Sequence, residues 1–211
     1  MYIGITASTG GATSIQTMSD FTINGNLVNS FNENFLKDGR RLPPNPSTGK
    51  ASIPCDCQCR SGYGENPFRL TENLGYQASA IWAADTSSVN PASFSASFQY
   101  FIEGSSQADG FTLCFSRFVF IAGDGGGLGY QGSGASSVAI EVDSFQNDHD
   151  PSNSHVAIIA GGSVITHLQL AEVTIRPSGI ISANYSGGRL KVNHNQVPIL
   201  DYAINIPSIA G

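Results

Sequence analysis

Val138-Ala139-Ile140-Glu141-Val142-Asp143-Ser144-Phe145-Gln146-Asn147-Asp148-His149-Asp150-Pro151-Ser152-Asn153-Ser154-His155 alternates like a β-strand and then turns. Val138, Ile140 and Val142 interleave with Ala139, Glu141 and Asp143, and the alternation continues through Phe145 to Asn147. Successive side chains of a strand point to opposite faces. The apolar set therefore enters a core, while Glu141, Asp143, Phe145 and Asn147 share the other face. Same-face neighbours lie roughly 7 Å apart, close enough for two carboxylates to serve adjacent cations. Asp150-Pro151 turns the chain, and His155 opens a second apolar run from Val156 to Ile159. Carboxylates, an amide and an imidazole beside the Phe145 ring predict a metal-organised binding site.

Working outward, the 211 residues are 40 % apolar and only 12 % charged, with 24 glycines. This mix suits one large all-β domain of short strands and tight turns. A net charge of −6 without a basic patch argues against nucleic acid. No apolar run approaches the ~18 residues needed to span a membrane, so no membrane insertion is expected. No secretion signal opens the chain, which begins in a strand-like Tyr2-Ile3-Gly4-Ile5-Thr6. A removed signal or an excised domain is the expectation. Cys55, Cys57 and Cys59 form a C-x-C-x-C cluster remote from Cys114. Zinc sites usually show two separated pairs, and this cluster does not. Two disulfides are compatible with an extracellular protein; the plainer reading is a buried free thiol at Cys114 and a loop of surface thiols, some of them paired, and the connectivity stays open.

Alternation recurs over 94–100, 111–120, 138–145 and 164–175, and short apolar segments at 180–185, 188–193 and 197–206 are divided by hairpin-like Ser186-Gly187-Gly188 and Asn193-His194-Asn195-Gln196. Residues 37–66, with Pro43-Pro44-Asn45-Pro46 and the cysteine cluster, break every periodicity and read as an irregular excursion within one domain, 1–211. The glycines from Gly123 to Gly129 form a loop that lacks the Lys-Ser/Thr ending of a phosphate-binding loop. The expected architecture is an antiparallel β-sandwich.

Four blocks together resemble the legume (L-type) lectins. Residues 138–158 match V-A-V-E-F-D-T-F/Y-x-N-x-x-D-P-x-x-x-H-I-G-I, with Val142, Ser144 and Ala157 in place of the usual Phe, Thr and Gly. Ala108-Asp109-Gly110-Phe111 matches the A-D-G block, Gly125-Gly126-Gly127-Leu128-Gly129 the G-G-x-L-G loop, and Tyr2 to Gly10 the V-G-F-x-A-x-T-G segment. That last segment usually lies near the C-terminus, so the chain resembles a circularly permuted member. The resemblance implies a jelly-roll, concanavalin A-like sandwich that binds glycans without catalysis. A transition metal, usually Mn²⁺, would take Glu141, Asp143, Asp150 and His155; the imidazole suits the softer ion. Ca²⁺ would take Asp143, the Phe145 carbonyl, Asn147 and Asp150, an all-oxygen set. Asp109, following a cis peptide, the Gly126 N–H, Asn147 and the Phe145 ring would contact sugar, and Gly11 and Ala12 would belong to the loop that tunes specificity. Glycans or glycoconjugates are the implied partners, a homo-oligomer through the back sheet an implied assembly, and an extracellular, cell-surface or secretory-lumen location the implied setting.

Two other functions compete. Some glycosidases share the sandwich and carry E-x-D-x-x-E on one strand; here Gln146 stands where the second glutamate would be, and it cannot cycle a proton. An adhesion or assembly module of a larger surface protein is the other. Asp148 and His149 match no ligand position and are expected to face solvent, and His167 and His194 read as a strand-surface and a turn residue. Asn184-Tyr185-Ser186 is a glycosylation sequon.

Overall fold

In a computed structural model, residues 1–36, 67–104, 106–175 and 177–211 are described. Among them, the strands in chain order are β1 (Tyr2–Thr9), β2 (Ile15–Ile23), β3 (Asn26–Leu27), β4 (Phe31–Leu36), β5 (Phe68–Thr71), β6 (Gln77–Ala83) and β7 (Ser93–Glu103). There follow β8 (Gly110–Ser116), β9 (Ser137–Asp143), β10 (His155–Ala160), β11 (His167–Glu172), β12 (Ser178–Ser186), β13 (Arg189–His194) and β14 (Val197–Ala203). A single 3₁₀ turn, Gly125–Gly127, and one short helix, α1 (Ile206–Ala210), complete the described secondary structure. The excursion at 37–66, with Cys55, Cys57 and Cys59, lies outside the described residues. No helix among the described residues is long and apolar enough to cross a membrane.

The protein is an antiparallel β-sandwich. One sheet has the order β11-β10-β9-β8-β1-β6-β4, and the other runs β14-β13-β12-β7-β2-β3, with β5 also paired to β2. Between them lie alternate residues of both sheets, among them Ile3, Ile5, Phe98, Tyr100, Phe111, Leu113, Phe115, Val138, Ile140 and Val142. The alternation at 138–142 thus sends its apolar set into the intersheet core.

The opposite face of the first sheet is also covered. Ala80, Trp82, Cys114, Tyr130, Ala139, Ala157, Ile159 and Val164 form a second apolar cluster there. Trp82 donates its indole N–H to the Phe120 carbonyl at 3.1 Å, which ties the loop after β8 over that face. Cys114 is a buried free thiol, and burial pushes it up to about 12. With both faces covered, every residue of β9 is buried, so Glu141 and Asp143 emerge where an apolar patch gives way to a polar one.

Several boundaries differ from the sequence reading. β8 stops at Ser116, because Arg117–Phe120 leaves the sheet to form the cover. β2, β5 and β6 lie in stretches that show no clean alternation; β6 (Gln-Ala-Ser-Ala-Ile-Trp-Ala) loses its apolar–polar period because both its faces are buried. The segment 197–206 ends as a strand at Ala203 and the chain turns into α1, where Asn205 caps the helix by accepting the Ser208 N–H at 3.1 Å and Pro207 sits in the first turn. Both predicted hairpins are present, with positive φ at Gly187 and Gly188 and at Asn195 and Gln196.

Candidate metal centre and its surroundings

Strand register assembles the centre. Asp143 pairs with His155 on β10 and with Gly110 on β8, and Glu141 pairs with Ala157 and Thr112. Small residues beside Glu141 leave its carboxylate room on the covered face. The turn after β9 then brings Asp150 back. Asp143 Oδ1 accepts the Phe145 N–H at 2.7 Å, and Asp150 Oδ2 accepts the Asn147 N–H at 2.7 Å. One oxygen of each carboxylate is held, while Asp143 Oδ2 and Asp150 Oδ1 are buried with no hydrogen-bond partner.

The unpartnered atoms converge. Asp143, Asp150 and His155 each offer a ligand atom within 4.8 Å of the others, and so do Glu141, His155 and His167. Both Glu141 oxygens, both His155 nitrogens, His167 Nε2 and Asn147 Oδ1 are likewise buried without partners. Among the described residues, no lysine or arginine pairs with these carboxylates; the described ion pairs of arginine are Arg69–Glu72 and Arg189–Asp201. Burial, with Glu141, Asp150 and Asp109 nearby, holds Asp143 well above the usual carboxylate range, against the Phe145 N–H. For Glu141 burial acts in the same direction, but the adjacent His155 and His167 outweigh it and hold its carboxyl low. Buried, clustered and unpaired anions are costly. A cation among them would satisfy the orphaned oxygens and nitrogens together, and the donor set fits a hard ion on the aspartate side and a softer one on the imidazole side.

A second set of residues lies beside this centre. The Ala108–Asp109 peptide is cis, as the family resemblance implies. Its geometry is tied on every side: Ser14 Oγ and Gln16 Nε2 donate to the Ala108 carbonyl at 2.5 and 3.0 Å, the Asp109 N–H donates to the Ser8 carbonyl at 3.0 Å, and Ser144 Oγ donates to the Asp109 carbonyl at 2.8 Å. Asp109 is 2 % exposed with Oδ2 unpartnered. Burial pushes its carboxyl up to about 6, against the Gly10 N–H and with help from Asp150 and Asp124. The glycine loop is pinned to β1, where Thr6 donates to the Leu128 carbonyl at 2.6 Å and Ser8 to the Gly125 carbonyl at 2.5 Å. A Cβ on Gly126 would stand 2.5 Å from Asn147 Oδ1, and one on Gly10 would stand 3.0 Å from the Gly125 Cα. A side chain at Gly126 would displace the Asn147 amide, and one at Gly10 would press on the Gly125 backbone.

Gly10 thus lies between Asp109 Oδ2 and the Gly125 backbone, and Gly126 lies against the Asn147 amide; the Asn147 N–H in turn meets Asp150, which groups with Asp143 and His155. Phe145 is half-buried and Gln146 exposed in the turn. Gly11 is exposed and Ala12 half-buried just beyond Gly10. Asp148 and His149 are exposed as expected, although His149 Nε2 lies 3.3 Å from Asp150 Oδ1. His194 is a turn-end residue whose ring meets the Tyr100 hydroxyl at 2.8 Å. His167 differs from its expected place on a strand surface: Nε2 stands 3.2 Å from Glu141 Oε2. Its partner lies on a strand two positions away in the sheet, so no local spacing signals the contact. Tyr76 was also silent in the sequence. It is 71 % exposed, its N–H donates to the Gly10 carbonyl at 3.1 Å, and its hydroxyl lies 3.9 Å from where a Gly11 Cβ would stand. In comparisons with known proteins, no protein-family model and no curated protein matches this chain.

Proposed function

We propose that this protein binds carbohydrate without acting on it chemically, at a site organised by Ca²⁺ and a neighbouring transition-metal ion. The convergence of Asp109, Gly126 and Asn147 from three separate segments, beside buried ligand atoms that lack partners, carries this reading. Asp143, Asp150, Asn147 and the Phe145 carbonyl would hold Ca²⁺; Glu141, Asp143, Asp150 and His155 would hold the second ion, Mn²⁺ in the family the chain resembles. When bound, the cations neutralise the carboxylates and stiffen the 143–150 turn. Asp109 then accepts hydroxyl hydrogen bonds, Asn147 and the Gly126 N–H complete the polar contacts, and the Phe145 ring covers an apolar sugar face. Tyr76, beside Gly11, extends the aromatic surface toward the loop that would tune specificity.

A retaining glycosidase needs two carboxyls about 5 Å apart flanking the scissile bond. Glu141 is instead fully buried against two imidazoles, and Gln146 is an amide, which favours binding over hydrolysis. The test is a glycan array probed with protein loaded with Ca²⁺ and Mn²⁺, and again after chelation. Binding that disappears with chelator and returns with the ions is expected. An array with no glycan bound by the loaded protein, or binding indifferent to chelator, overturns the reading.

A further inference from the structure

His167 begins β11 and pairs in register with Ile159, beyond a bulge between Ile158 and Ile159. That bulge turns the ring onto the face that carries His155 and Glu141. The two imidazoles meet edge to face, with centroids 5.3 Å apart and planes at 73°. Glu141 Oε2 lies 3.2 Å from His167 Nε2 and 3.8 Å from His155 Nε2, without hydrogen-bond alignment to either. Ligands bound to one tetrahedral Zn²⁺ at about 2.0–2.1 Å are separated by about 3.4 Å, and the two observed distances straddle that value. The His167 side chain is 14 % exposed and Glu141 is fully buried, so no room is left for a long chain of waters between them.

We infer that His167 is a direct ligand of the transition-metal half of the centre, so that Glu141, His155 and His167 form a two-imidazole, one-carboxylate set that selects Zn²⁺ over Mn²⁺. The inference rests on the metal-organised part of the function proposed above and departs from it in the ligand set and in the ion. Imidazole favours Zn²⁺ and its neighbours, and Mn²⁺ stands lowest among the divalent first-row ions for nitrogen sites. The Asp143–Asp150–Asn147 side, all oxygen, keeps its suitability for Ca²⁺.

The test uses chelator-stripped full-length protein. Titration calorimetry with Zn²⁺, Mn²⁺ and Ca²⁺ should give Zn²⁺ binding at least about 100-fold tighter than Mn²⁺. His167→Ala should weaken Zn²⁺ at least roughly tenfold while Mn²⁺ and Ca²⁺ change by less than about threefold. Folding of the variant is checked by the near-ultraviolet circular dichroism of Trp82. In the unaltered protein, ¹⁵N shifts of the histidine rings, assigned with His167→Gln and His149→Ala, should move for both His155 and His167 when Zn²⁺ is added. A Zn²⁺-induced shift at His155 alone, or unchanged Zn²⁺ affinity in folded His167→Ala, overturns the inference. A glycan array blank with every ion, with the histidine shifts intact, overturns the carbohydrate reading and leaves this one standing.

Discussion

Asp143 and Asp109 show how single residues reveal the centre's requirement. Each is a buried carboxylate with one unpartnered oxygen, and Asp143 stands in one ligand group with Asp150 and His155. Asp143→Ala is expected to abolish Ca²⁺ and sugar binding together, because Ca²⁺ would then have too few anionic ligands; undiminished Ca²⁺ affinity by calorimetry would contradict the assignment. Phe145→Ala separates roles that one residue combines. Its carbonyl is retained, so Ca²⁺ affinity should stay within a few-fold while sugar affinity falls by roughly tenfold or more. Proton linkage offers a further test with a definite sign. Without cations, Asp109 at about 6, Asp143 well above its ordinary value and His167 raised by Glu141 all hold protons that the unfolded chain has released. Their contribution is present at low pH and is lost as pH rises through the raised values. The melting temperature of chelated protein should therefore rise as pH falls from about 7.5 to about 5.5. Glu141, held low, contributes the opposite way only as pH falls through its lowered value, beneath the ordinary 4.5. Loaded protein should show the reverse slope, since protons compete with the ions for the same ligands. Melting curves with parallel pH dependence in both states would refute a centre built to hold cations.

At the scale of elements, the centre is a meeting of loops fastened to one sheet. β1 pins the glycine loop through Thr6 and Ser8, and β2 with its preceding loop holds the Ala108 carbonyl through Ser14 and Gln16. The metal turn is fastened to the Asp109 segment through Ser144, which also donates to the Gln107 carbonyl at 2.7 Å. A methyl group at position 126 has no space beside Asn147. Gly126→Ala is thus expected to push the Asn147 amide aside and weaken sugar binding roughly tenfold, about the value of one charge-assisted or two neutral hydrogen bonds. Zn²⁺ affinity, proposed to be set at Glu141, His155 and His167, should hold. Calorimetry with each ligand measures the two effects separately. The glycine run was visible in the sequence as a loop, but its contact with Asn147 depends on a turn and a sheet face that are distant along the chain.

On the scale of the whole molecule, two kinds of stability are superposed. The intersheet core is independent of cations: Phe98 is fully buried with its ring centroid 6.0 Å from that of Phe111. Phe98→Ala should cost about 3–5 kcal/mol and lower the melting temperature in loaded and chelated protein alike. The proposed metal centre would instead add stability by mass action. An ion present at 100 times its dissociation constant contributes about 2.7 kcal/mol, and at about 2–4 °C per kcal/mol for a chain of this size chelation should lower the melting temperature by roughly 5–11 °C. Thermal denaturation of both proteins in both conditions checks the pair; chelation that changes nothing in the unaltered protein would contradict the role given to the buried carboxylates.

The β-sandwich was legible in the sequence because a strand alternates with period two, and a turn declares itself through Gly, Asn and Pro. The clustering of Asp143, Asp150 and His155 was legible for the same reason, since one strand and one turn set their spacing. β6 was not, because a strand covered on both faces loses its alternation, and the second apolar cluster that covers it exists only once the 117–131 loop folds back. His167 was hidden because its neighbours Glu141 and His155 lie across strand pairings that local periodicity does not encode. Alternation assigns each side chain to a face; only the tertiary register decides which side chains of that face come within bonding distance of one another.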